Sequence, residues 1–291
     1  MKTRIVALLL LALIAPAFAG AEDDAESYFN KGLEHLVRQG YMGDTSAAQR
    51  YLSAALEKDP KHVEALWLLL VTRLPSKNAP LVERASALAV LGPAFAQLFK
   101  ICKETKQQAL LHYYTARYAD HYHAFERAQS EIDKALALEP QSTRFLLTKG
   151  KLLVDQGSWI KDDKLIEAGV QTIKKSQEWS ITRPNRLVSP SHYDFEIALG
   201  LSHLSAPRWK EVVTHYRRSI ELNETPKSTA FAWNNVSRAY RELGQCDKAK
   251  EAAENALKEM KFGAAQNNKR YAEFCIDMQR EGFTTSGQRT N

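Results

Sequence analysis

The chain has 291 residues, of which 44% are hydrophobic and 25% charged, and a formal charge of +6. That is ample apolar material for a large buried core, and the charge is too mild to point to nucleic acid as a partner. Nothing in the composition marks a disordered chain, except at the two ends.

Residues 1–19 place Lys2 and Arg4 ahead of an apolar run from Ile5 to Ala15, then Pro16 and Ala17-Phe18-Ala19 before Gly20. A basic start, a run too short to span a bilayer and an A-x-A end predict a cleavable secretory signal peptide. Its removal lowers the charge of +6 by two. No Cys follows the run, so a lipoprotein anchor is not expected, and the predicted location is the periplasm or the exterior. No second stretch predicts a membrane span; Ala85 to Phe99 comes closest and Gly92-Pro93 interrupts it.

From residue 20 to 281 the chain reads as successive helix pairs. Residues 25–60 carry Tyr28, Gly32 and His35 in one helix and Ala48, Leu52 and Ala55 in the next, closing at Asp59-Pro60. The extra residues Tyr41 to Asp44 lengthen the turn. Residues 61–106 read as a degenerate pair, with a helix near Val63 to Arg73, a loop from Pro75 to Pro80, and an apolar segment kinked at Pro93. In 109–142, Ala116 and Ala119 are followed by Ala128, Ile132 and Ala135. Residues 143–179 form a second degenerate pair, with Gly150, a long turn from Trp159 to Asp163, then Gly169, Ile173 and Ser176. Trp179 to His192 holds two prolines and no helical period, which predicts a joining loop and a bend.

The most regular part comes next. Residues 193–226 contain Leu199-Gly200 and then Val212, Tyr216 and Ser219 at spacings of four and three. In 230–263, Trp233, Val236, Ser237 and Tyr240 share one helical face, and Ala249, Ala253 and Ala256 share another. Between them Gly244 can end a helix and Asp247 can open the next. Residues 264–281 predict a closing helix, and 282–291 a polar tail.

The 230–263 pattern resembles the tetratricopeptide repeat, W-x2-L-G-x2-Y followed by A-x3-F, with Val236 and Ser237 in place of Leu and Gly, and Ala253 in place of Phe. The long turn at Tyr41 to Asp44 is reminiscent of the Sel1-like variant. The resemblance implies an all-α fold, a right-handed α-solenoid of antiparallel helix pairs, and a non-enzymatic adaptor that binds a protein or an extended peptide in its concave groove. An envelope complex is the expected setting.

In such repeats the second, fifth, ninth and twelfth residues face the inner wall. Here they are Phe231, Asn234, Arg238 and Arg241. The 109–142 pair gives Leu110, Tyr113, Arg117 and Asp120, and the degenerate pair gives Arg144, Leu147 and Lys151. Arg and Asn would grip peptide carbonyls or carboxylates, and Tyr113 would supply apolar contact. The bland alternative is a solvated basic face.

His112, Asp120, His121, His123 and Glu126 crowd one region, which keeps open a metal-dependent or accessory enzyme component using residues 112–126. No H-E-x-x-H, G-x-S-x-G or phosphate-cradling loop accompanies them, so no catalysis, metal or cofactor is expected. A purely architectural homo-oligomer is a third reading. Of three cysteines, Cys246 and Cys275 would lie near each other in antiparallel neighbouring helices and could pair, leaving Cys102 as a buried thiol; alternatively all three are reduced and buried.

Overall fold

The computed structural model describes residues 24–39, 45–75, 79–182, 192–205, 208–222 and 226–281. The predicted signal peptide, the Tyr41 to Asp44 insertion, most of the 179–192 loop and the 282–291 tail lie outside them. The described residues form thirteen helices and no strand. Successive helices pack closely on each other, and where the connection is described a short turn joins them as antiparallel neighbours, the arrangement of an α-solenoid. Contacts divide the chain into two compact units, residues 1–138 and 139–291.

The first unit contains α1 (Ala25–Gln39), α2 (Ser46–Lys58), α3 (Val63–Val71), α4 (Leu81–Glu104), α5 (Gln108–His121) and α6 (Phe125–Leu138). Tyr28 and Leu36 of α1 meet Leu52 and Ala55 of α2, and Leu69 of α3 joins the same core. Farther along, Trp67 of α3 stacks on Tyr114 of α5 at 4.7 Å, and Phe95 of α4 packs on Tyr118 of α5 at the same distance.

The apolar segment around Gly92-Pro93 is one helix. Helix α4 runs through Pro93 without ending. A proline inside a helix costs about 3 kcal/mol through its missing N–H and its ring. Leu91, Phe95, Leu98, Ile101 and Cys102 are all buried along one side of α4. At roughly 1.5–3 kcal/mol for each large buried side chain, that face outweighs the local penalty.

The second unit contains α7 (Thr143–Ile160), α8 (Asp163–Thr182), α9 (His192–Ser205), α10 (Trp209–Leu222), α11 (Pro226–Glu242), α12 (Cys246–Glu259) and α13 (Gly263–Arg280). Helices α7 and α8 form a tight pair even though their sequence pattern is degenerate. Gly150 and Gly169 make it possible: a Cβ on Gly169 would stand 2.7 Å from the Gly150 carbonyl oxygen. The turn expected over Trp159 to Asp163 is shorter, because α7 continues to Ile160 and ends on Lys161 in the left-handed region. Asp162 then accepts from the backbone N–H groups of Lys164 and Leu165 at 2.9 and 3.1 Å, opening α8. At its far end α8 extends to Thr182, past the expected boundary at Trp179.

In the α11–α12 pair, Ser237 is buried and its hydroxyl donates to the Ala249 carbonyl at 2.6 Å, so the small residue both permits and ties the close approach. Val212 and Tyr216 of α10 share a core with Ala232, Val236 and Ala239 of α11. Of the two cysteine readings, the structure carries the paired one: a disulfide joins Cys246 at the start of α12 to Cys275 of α13, with Cα atoms 5.7 Å apart, while Cys102 is a buried free thiol. Burial pushes the Cys102 thiol up to about 11. No helix among the described residues is long and apolar enough to cross a membrane.

Candidate protein-binding face

Helix α11 positions four of the predicted contact residues, and its repeat face explains how. Val236 and Ala239 turn inward and are buried, which leaves Asn234, Arg238 and Arg241 on a different side at spacings of four and three. The Arg238 guanidinium lies 5.5 Å from the centre of the Trp209 ring of α10 and is exposed. That of Arg241 lies 5.1 Å over the Tyr271 ring of α13, and its Nη2 donates to Glu242 at 2.9 Å. A guanidinium on an aromatic face is held flat while its N–H edge still points outward, the geometry that grips a carboxylate or peptide carbonyl. Asn234 accepts, through its side-chain and backbone oxygens, from Asn268 Nδ2 at 2.9 and 3.1 Å. Phe231 packs against Phe262, ring centres 5.1 Å apart. The predicted quartet is thus together, anchored by residues from α10, the turn before α13, and α13 itself.

The other predicted residues fare differently. Arg144 and Lys151 sit on α7, the first half-buried and the second exposed, whereas Leu147 between them is buried in the core with Val154, Ile173 and Leu199. In the first unit, Tyr113 is 2% exposed, so its ring is not available as an apolar contact surface. It serves instead as a support: Arg117 Nη1 donates to its hydroxyl at 3.0 Å, and the Arg117 guanidinium is held 5.5 Å over Trp67. Spacing alone places Tyr113 on the wall; in the structure its ring is buried, 5.1 Å from that of Tyr114.

The histidines of 112–126 act within the helices. His112 Nδ1 lies 2.7 Å from Glu131 of α6, tying α5 to α6. Burial would raise the Glu131 carboxyl, but hydrogen bonds from Lys134 and His112 outweigh it and hold it below its ordinary value. His121 packs edge-on to Tyr122, and His123 takes the left-handed backbone of the turn with its ring beside Phe125. Among the described residues no three His, Cys, Asp or Glu side chains converge as metal ligands.

A second histidine cluster escaped sequence reasoning. His215 Nδ1 lies 2.7 Å from Glu196 Oε2, and Gln177 donates to the other carboxylate oxygen at 3.0 Å. His203 stacks on His215 with ring centres 5.3 Å apart, and is 3% exposed. Burial, aided by His215 and Arg208, drives its pKa down to about 4, so it is neutral at ordinary pH. The available signal was a shared 19-residue offset: His112 to Glu131 and Glu196 to His215 both bridge the two helices of a pair.

Residues 33–80 match the Tetratricopeptide repeat family. That segment spans the end of α1, all of α2 and α3, and the loop beyond, upstream of the sharpest sequence pattern. The resemblance noted at Trp233 to Tyr240 therefore has an independent counterpart in the first unit. Among solved structures, the chain is similar to a thermophilic TPR protein of Thermus thermophilus at 12% identity and a TM-score of 0.43, covering 87% of this chain and 98% of that one. It is similar to yeast Tom70 at 12% identity and 0.41, covering 95% and 70% respectively. A third, the Cut9-Hcn1 hetero-tetramer of the APC/C, gives 15% and 0.43, covering 94% and 52%. No curated protein matches the sequence.

Proposed function

We infer that this chain is a non-enzymatic adaptor whose helical pairs hold a protein segment or extended peptide against the first-helix face of the second unit. The observation that carries this reading is the pair of stacked arginines, Arg238 on Trp209 and Arg241 on Tyr271, flanking the Asn234–Asn268 contact. Rings hold the guanidinium planes in place before any ligand arrives, which lowers the ordering cost of binding. Aligned Arg and Asn groups with aromatic neighbours suit a polar main chain bearing acidic side chains. No bond chemistry is required, and the mechanism is shape plus charge-assisted hydrogen bonding. The tetratricopeptide match at 33–80 supports a binding role.

The proposed setting is the periplasm or cell exterior, in assembly or maintenance of an envelope complex. The leader-like segment before Gly20 and a Cys246–Cys275 disulfide both suit an oxidising compartment. N-terminal sequencing of the mature protein tests the location: a start near Gly20 agrees, and a retained Met1 contradicts it. Binding is tested by affinity capture from envelope extracts with the natural chain and with Arg238→Glu/Arg241→Glu. A partner recovered by the first and lost from the second agrees; equal recovery contradicts it.

A further inference from the structure

Helix α13 exposes two large aromatic side chains: Tyr271 and Phe274 are 56% and 64% exposed. Asn267, Arg270, Asp277 and Glu281 are exposed on the same side, following a three- and four-residue rhythm. The opposite side, with Ala265, Ala272 and Cys275, is buried where α13 packs on α12 and α11.

The register shows what this outer face is shaped for. Asn268 bonds Asn234, its equivalent 34 residues earlier, so α13 repeats the placement of α11. One repeat back, Arg270, Tyr271 and Phe274 correspond to Val236, Ser237 and Tyr240. In α11 those residues meet a second helix: Val236 and Ser237 are buried, and Ser237 bonds Ala249 of α12. The exposed face of α13 is therefore one on which, in the preceding pair, a helix packs.

We propose that this face docks against the same face of a second copy of the chain, the two α13 helices crossing antiparallel about a two-fold axis at Phe274. The order of charges selects this occupant and this direction. Arg270 lies one turn before Phe274, and the acidic pair Asp277 and Glu281 lies one and two turns after it. In the antiparallel arrangement Arg270 faces Asp277 and Glu281 of the second copy, Tyr271 faces Met278 of the second copy, and Phe274 meets its own equivalent. A parallel arrangement would set Arg270 against Arg270 and Asp277 against Asp277, and like charges in an interface are strongly disfavoured. Asp277 makes a 3.7 Å contact to Arg280 at an open surface, a pair too weak to compete.

Sedimentation velocity on the purified chain over a concentration series tests the proposal. The expected result is a reversible monomer–dimer equilibrium. Phe274→Glu and Arg270→Glu should each raise the dissociation constant by about tenfold or more, and the triple exchange Arg270→Glu/Asp277→Arg/Glu281→Arg should restore it. All these positions are exposed, so helicity and thermal midpoint should stay unchanged, which separates lost association from lost folding. A chain that stays monomeric at every concentration overturns the proposal. So does a dimer insensitive to the single changes, or a triple exchange that fails to recover association.

Discussion

Asn268 donates to both oxygens of Asn234 across an offset of 34 residues, so the same side chain that fixes the repeat register also closes one end of the candidate binding face. Asn268→Ala should leave Asn234 without that donor and loosen α13 against α11. The expected cost is about 1 kcal/mol of stability. A denaturant midpoint shift with unchanged slope checks it.

Reversing the two stacked arginines should weaken partner binding far more than it disturbs the fold. Each charge-assisted hydrogen bond carries about 1.5–3 kcal/mol, so Arg238→Glu/Arg241→Glu should lower affinity by at least tenfold. The guanidiniums cover rings at the surface and fill no core, so the thermal midpoint should move by only a few degrees.

Acid should destabilise the second unit through His203. Its folded pKa, near 4, lies below the ordinary histidine value of 6.5, so the unfolded chain binds the proton more readily. Stability is full at neutral pH and is lost as pH falls through that window, by about 2 kcal/mol between about pH 7 and pH 5. Glu196 adds to the loss lower down, because hydrogen bonds from His215 and Gln177 outweigh burial and hold its carboxyl below its ordinary range. His203→Leu should flatten the pH dependence of the urea midpoint between those two values. An unchanged slope would show that burial of His203 is not the cause.

The glycine contact between α7 and α8 gives a contrast within one unit. Gly169→Ala would drive a Cβ to 2.7 Å from the Gly150 carbonyl oxygen, whereas Gly263→Ala at the start of α13 meets nothing within 4 Å. The first should cost about 1–3 kcal/mol, and the second should be neutral within about 0.5 kcal/mol. Chemical denaturation of the two variants decides it.

Breaking the Cys246–Cys275 bridge should loosen α13 specifically. Closing a loop across 29 residues stabilises by about 3–4 kcal/mol in the chain-entropy account. Hydrogen exchange in Cys246→Ala/Cys275→Ala should therefore rise mainly over Gly263–Arg280, with α7 and α8 unaffected.

Helix periodicity carried most of the fold, because paired helices bury one face each and the burial repeats every three and four residues. It placed Val236, Ser237 and Ala249 correctly on facing sides. It also carried the apolar segment through Pro93, where five buried side chains of the same helix outweigh the local breaker. At the candidate site it found Arg238 and Arg241 but not the rings beneath them, since Trp209 and Tyr271 come from other helices. Register assigns Tyr113 to the wall, yet the structure buries it. Asn268 and the His203–His215–Glu196 cluster depend on contacts between elements and left only faint spacing signals.

The proposed adaptor role requires the Arg238 side of α11 to meet a partner. A photo-crosslinking residue at position 238, compared in cells with one at Glu251, an exposed position on α12, tests it most directly. The expected result is a discrete crosslinked protein from position 238 that disappears when Arg241→Glu is added, and little from position 251. Equal labelling from both positions, or none from 238, would contradict it.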